Sequence, residues 1–179
     1  MPRELIELAI KTANTAPSGA HQQPWKYFTI DNPKLKTRIR EATEKEEYKT
    51  YTQRMSDQWR EALALLGTDW VKEHITDAPW IVVLFKESFR IKSDGQKSKN
   101  YYVDESVGIS AGLFISATHH MGLTTLTHTP NPMKILGQML GRPSNEAAVL
   151  LPVGYPASDA KVPNIACKPI KEIVQWNLG

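Results

Sequence analysis

Seven residues, WIVVLFK at 80–86, set the tightest limit on the fold. They are apolar at odd and even positions alike, so a strand built from them is buried on both faces, as an interior strand is. Such a strand needs partners at its edges and other elements above and below it. WKYFTI (25–30) has strand composition and ends at Asp31-Asn32-Pro33, a stop followed by a helix start. LTTLTHT (123–129) reads as a further strand and AVLLPVGYP (148–156) as a last strand with its turn.

Helical patterns lie between these strands. Pro2 opens one whose Leu5, Ile6, Ala9, Ile10 and Ala13 form an apolar stripe. Another runs from about 33 with Leu35, Ile39 and Ala42 on one face, and continues into the polar TEKEEYKTYTQRM. A third surrounds Trp59, Leu63 and Leu66 and ends at Gly67. VDESVGISAGLFISATHHMG (103–122) has small residues that admit a close neighbour, and Gly122 stops it. NPMKILGQMLG (131–141) is a short helix, and residues 87–100 read as a solvated loop. The expectation is one α/β or α+β domain over 1–179, with a helical insertion around 43–75.

Charge and composition exclude several classes. The formal net charge is +3, with lysines and arginines dispersed, which leaves no basic stripe for nucleic acid. Cys167 is the only cysteine, so no disulfide forms within the chain and a reducing, cytoplasmic setting is expected. No apolar run approaches the ~20 residues of a membrane helix, and MPRELIELAIK does not read as a signal peptide.

The familiar catalytic signatures are missing too. HExxH and CxxC spacings do not occur, and His119 and His120 point about 100° apart on a helix, so no metal is expected. Ser18 sits in PSG rather than in a GxSxG elbow, and Cys167 has Lys168 beside it but no identifiable base. GxGxxG and GxxxxGK[ST] are absent.

Two arrangements remain. Glu47 and Tyr51 are spaced i, i+4 and share a helix face, and Lys72 follows beyond Gly67. A carboxylate, a phenol and an ammonium on facing helices suit an amino-acid zwitterion; a polar face meeting water explains the same spacing. Thr127 and Thr129 place hydroxyls on one side of a strand end, where they can reach a cofactor or merely reflect β composition.

TAPSGAHQQPW (15–25), EEYKTYTQRM with Lys72 downstream, NYYVDESV, THTP and LLPVGYP occur in one order across nearly the whole chain. Together they resemble the iodotyrosine deiodinase branch of the flavin-dependent nitroreductase superfamily. That resemblance implies an α+β nitroreductase-like fold, a central mainly antiparallel sheet flanked by helices. It also implies an intertwined homodimer binding FMN at its interface. Pro17, Ser18 and Gly19 would line the flavin, with Thr127, His128 and Thr129 against its ring system and the Thr129 hydroxyl on N5. The Ala20 N–H would hold a substrate phenolate, and Glu47, Tyr51 and Lys72 would clamp the zwitterion and close as a lid. The implied activity is reductive dehalogenation of halotyrosines, with Ala20 and Thr129 nearest the chemistry.

Three departures from the family pattern stand out. The arginine-rich segment ahead of its first helix, which grips the FMN phosphate, is not in this sequence, and Cys167 stands where arginine is common. Each charge-assisted hydrogen bond lost there is worth ~1.5–3 kcal/mol, so a shortened chain or weaker FMN binding is the expectation. His128 occupies a position where threonine is common. The alternatives carried forward are a broad nitroreductase or quinone reductase, which has no use for the clamp, and a flavin-poor binding protein for aromatic amino acids.

Overall fold

The computed structural model describes residues 1–142 and 146–177; residues 143–145 and 178–179 of the expected 1–179 domain lie outside the described residues. Its centre is β2 (Trp80–Lys86), buried at every position from Trp80 to Phe85. β1 (Trp25–Ile30) pairs antiparallel with one edge, Trp25 opposite Lys86 and Ile30 opposite Ile81. β6 (Glu146–Gly154) pairs antiparallel with the other, with a register shift between Leu84 and Phe85. β5 (Thr124–Thr125) closes the sheet, giving the order β1-β2-β6-β5.

Alternation along β2 divides the core in two. Trp80, Val82 and Leu84 face one layer with Ile6, Ala9 and Ala13 of α1 (Arg3–Ala13) and with Val107 and Phe114 of a later helix, Val103–His120. Ile81, Val83 and Phe85 face the other with Ile39 of α2 (Pro33–Lys49), Ile75 of a short helix, His74–Asp77, and Leu136 of another, Lys134–Met139. The remaining helix of the first half, α3 (Asp57–Ala64), contributes no buried residue. In chain order the three helices just introduced are α4 (His74–Asp77), α5 (Val103–His120) and α6 (Lys134–Met139); α7 (Ile170–Ile173) lies in the exposed tail. The outcome is a mainly antiparallel sheet between two helical layers, as expected.

Local chemistry fixes the ends. Asn32 caps α2, its Oδ1 accepting from the Leu35 N–H at 3.0 Å with Pro33 at the first helical position. Gly122 ends α5 in the left-handed region at φ 71°. Within the α5 layer, the Ser110 hydroxyl donates to the Ala13 carbonyl at 3.1 Å and meets the Tyr27 hydroxyl at 2.7 Å. Burial pushes the Tyr27 phenol up to about 12, although the Ser110 contact opposes the shift.

Three local readings of the sequence need correction. Residues 87–100 include a hairpin, β3 (Phe89–Ile91) against β4 (Lys97–Lys99); three-residue strands are too short for alternation to register. The strand expected over 123–129 pairs as a ladder only at Thr124 and Thr125, then again as a single bridge from His128 to Leu150. In that register Leu126 stands opposite Pro152, which has no N–H to give, so the ladder is interrupted there. The fully buried positions of α2 are Lys36, Ile39, Thr43 and Glu47; of the expected face Ile39 is among them, Leu35 packs partly buried against the same core, and the polar members were not expected. Lys36 is buried because its ammonium donates to the Thr76 and Ala78 carbonyls at 3.2 and 2.7 Å, tying α2 to the end of α4.

Candidate functional site

The polar burial on α2 continues into a cleft. Glu47 is 8% exposed and lies at the end of α2, where the helix widens into a single π turn over Thr50–Arg54. The Met55 N–H donates to the Thr50 carbonyl at 2.9 Å, closing that turn, and Met55 is buried behind it. Glu47 and Tyr51 both line a cleft of about 770 Å³, together with Lys72, His74, Thr127, His128 and Thr129. That volume lies within the range of small-molecule sites. Trp59, Leu63 and Leu66, around which the sequence placed a helical pattern, line the cleft instead of entering the core.

Glu44 places Lys72. Its carboxylate accepts from the Lys72 backbone N–H at 2.8 Å and from Arg40 Nε at 2.7 Å. Burial alone would raise the Glu44 pKa; the Lys72 N–H and the Arg40 guanidinium outweigh it and hold the carboxyl below its ordinary value. The Lys72 side chain is 5% exposed and donates to the Asp69 carbonyl and, at 3.4 Å, to Thr68 Oγ1. Burial lowers its pKa, against Glu47, Asp69 and Glu44, which raise it. The ammonium lies 3.9 Å from Glu47 Oε2 and 5.6 Å from the Tyr51 ring centre. The Tyr51 phenol is raised by burial and by the nearby carboxylates of Glu47 and Asp69, with a Thr68 contact opposing. Carboxylate, ammonium and phenol therefore stand together in one partly dry pocket.

Across the cleft, burial alternates at the strand end: Thr127 and Thr129 are exposed and His128 is buried. Their hydroxyls are free to meet a bound group, while His128 faces inward toward α2 and α4. His128 Nδ1 and His74 Nε2 are 3.2 Å apart, and His128 Nε2 is 3.9 Å from Glu47 Oε1. His74 is at the start of α4 and turned toward His128. Neither Glu44 nor the His74–His128 contact was legible in the sequence, since each joins segments separated by 28 residues or more.

The Pro17–Ala20 loop lies elsewhere. It follows α1 and rests on the start of α5, on the opposite side of the sheet from α2. The Gly19 N–H donates to Ser106 Oγ at 3.3 Å and the Gln23 N–H to Ser18 Oγ at 2.9 Å. Ala20, His21 and Gln23 all have positive φ, at 49°, 55° and 49°. Three such non-glycine residues in four positions form a strained turn of the kind found at binding sites. Gly19 is required by space: a Cβ there would lie 2.6 Å from the Tyr101 carbonyl oxygen. Among the described hydrogen bonds none uses the Ala20 N–H, and the residue is exposed. The loop thus presents a bare donor, but not to the Glu47 cleft of its own chain.

The sheet between two helical layers, with a cleft at its edge and a strained serine–glycine loop, defines a family. The chain belongs to the Nitroreductase family, whose pattern matches residues 1–155. Among its relatives is iodotyrosine deiodinase from Haliscomenobacter hydrossis, 49% identical over 94% of this chain and 76% of the relative. Iodotyrosine deiodinase from Nematostella vectensis is 46% identical, over 97% of this chain and 67% of its own length. The fold is also similar to a crystal structure of oxidised iodotyrosine deiodinase bound to FMN and 3-iodo-L-tyrosine. There the TM-score is 0.84 and the identity 30%, over 99% of this chain and 89% of the other.

Proposed function

We propose that this protein is an FMN-dependent oxidoreductase that removes the halogen from halotyrosines. The observation that carries the reading is the convergence of Glu47, Tyr51 and Lys72 with Thr127–Thr129 in one cleft. A general nitroreductase has no use for a buried carboxylate and ammonium spaced for a zwitterion. The relatives that match over most of the chain are iodotyrosine deiodinases.

The residues present fit FMN. The exposed hydroxyls of Thr127 and Thr129 border a cleft of suitable size, and the Ala20 N–H is an unused donor. Thr127 and Thr129 would lie against the flavin ring, with the Thr129 hydroxyl at N5 and the buried His128 side chain between them turned toward α2 and α4, and Pro17, Ser18 and Gly19 would form the other wall. Bound FMN supplies two electrons, which with one proton convert the carbon–halogen bond to carbon–hydrogen and release halide.

The protein's own part is binding and polarisation. Glu47 takes the ligand ammonium, Lys72 its carboxylate, and Tyr51 donates a hydrogen bond. The Ala20 N–H favours phenolate over phenol, placing negative charge on the ring that loses halide. The stretch 43–75 acts as a lid that keeps water from the reacting carbon.

A homodimer is part of this reading, and the placement of these parts supports it. The Ala20 loop and the Glu47 cleft lie on opposite sides of one sheet, so a site using both takes them from two copies. The test is complementation between a Gly19→Ala chain and a Glu47→Gln chain, each inactive alone. Co-expressed, half of the dimers are mixed and hold one intact site of two, restoring about a quarter of the activity. No recovery would refute the shared site. The function itself is tested by titrating the purified chain with FMN, then assaying halide release from 3-iodo-L-tyrosine under reduction. FMN binding without halide release would leave the nitroreductase reading in its place.

A further inference from the structure

His128 is 8% exposed, and its Nε2 is buried without a hydrogen-bond partner. Its neighbours form a row across three elements. His74 Nε2 on α4 lies 3.2 Å from His128 Nδ1, the rings edge-on at 78°, and Glu47 Oε1 on α2 lies 3.9 Å from His128 Nε2. Lys72 stands 3.9 Å from the other Glu47 oxygen. Glu47 is therefore held at equal distance between a cation and an imidazole.

A single proton occupies the gap between the two rings when both are neutral, and its position decides what faces Glu47. If it sits on His128 Nδ1, a bare Nε2 lone pair is buried against a carboxylate, which is repulsive and leaves both unsatisfied. If it sits on His74 Nε2, His128 carries its proton on Nε2, aimed at Glu47. The second arrangement wins. His74 is kept neutral by burial first, then by His128, Lys72 and Arg40, with Asp77 opposing, and its pKa falls to about 4.

A donor beside Glu47 has a particular use. An Nε2–H there draws one carboxylate oxygen away from Lys72, whereas a closed Glu47–Lys72 pair would neutralise both groups before a ligand arrived. Lys72 is held off from the other side by Asp69 and Thr68. We propose that His128, in the tautomer set by His74, is a specificity-determining positioning residue. Its Nε2–H fixes Glu47 for the ammonium of an α-amino acid, so that halotyrosines are selected over bare halophenols. This rests on the halotyrosine reading above.

The test uses FMN-loaded protein and flavin fluorescence quenching, with 3-iodo-L-tyrosine and 2-iodophenol as paired probes. His128→Leu removes the donor, and His128→Gln returns an amide N–H near the former Nε2. In His128→Leu, iodotyrosine affinity falls about tenfold or more while iodophenol affinity changes less than about threefold, and His128→Gln recovers most of the difference. His74→Leu frees the tautomer and shows part of the same loss, which keeps the test open if His128→Leu does not fold. Equal losses for both probes, or equal behaviour of Leu and Gln, overturn the proposal and make His128 a flavin or packing contact. Failure of the unaltered protein to bind iodotyrosine overturns the reading beneath it, and this one with it.

Discussion

Replacing Lys72 by methionine separates the clamp from the fold. Methionine keeps most of the apolar stem and removes the ammonium, which is buried at 5% exposure. At the 3.9 Å separation from Glu47, an effective dielectric near 20 puts the direct attraction at about 4 kcal/mol. Desolvation of the lysine outweighs that attraction, as its lowered pKa records. The acceptors it leaves, the Asp69 carbonyl and Thr68 hydroxyl, belong to exposed residues that water can serve. Glu47 is left buried without its cation, so net stability should fall by about 1–3 kcal/mol. Binding should not be spared. One charge-assisted contact to a ligand carboxylate is worth about 1.5–3 kcal/mol, or roughly tenfold to 150-fold in affinity. The assay compares kcat/KM for halide release from 3-iodo-L-tyrosine with that for reduction of a nitroarene lacking an amino-acid group. A selective loss of this size for iodotyrosine is expected. Equal losses for both substrates, or a fall in Tm large enough to explain them, would refute the reasoning.

Three further outcomes are expected. Gly19→Ala forces a Cβ to 2.6 Å from the Tyr101 carbonyl, so the loop must shift at a cost of about 1–3 kcal/mol; denaturant melts should show this, and iodotyrosine affinity should fall as the Ala20 N–H moves. His74, with its folded pKa depressed to about 4, leaves the unfolded chain binding the extra proton below its ordinary value near 6.5. Stability is thus intact above that value and drains as pH falls toward 4; a His74→Gln variant should lose less across the window in paired melts. Tyr27 has a raised phenol pKa of about 12, so its contribution is whole below pH ~10 and is lost as pH climbs through 12. Tyr27→Phe should cost about 1 kcal/mol at neutral pH through the lost Ser110 bond and flatten the alkaline decline.

Much of the fold was written locally. A run apolar at every position could only be an inner strand, and β2 is that strand. The Asn32-Pro33 start, the α1 stripe and the Gly122 stop depend on neighbours within a turn, so sequence reading found them. The spacing of Glu47 and Tyr51 is local as well and set the two on one face. What local pattern could not weigh was whether that face met water. Burial of Lys36 and Glu47 comes with partners on α4 and at the strand end, and hydrophobic periodicity reads polar residues as surface.

The sequence by itself determined the interior strand, the helices that cover it and the carboxylate and phenol that share one helix face. Tertiary structure alone decided that Glu44 would carry Lys72 to Glu47 and that His74 would meet His128 across 54 positions. It alone put the Ala20 loop behind the sheet from the Glu47 cleft. Each of these is a distance between segments remote in the chain, and only the packing of two layers on one sheet sets it.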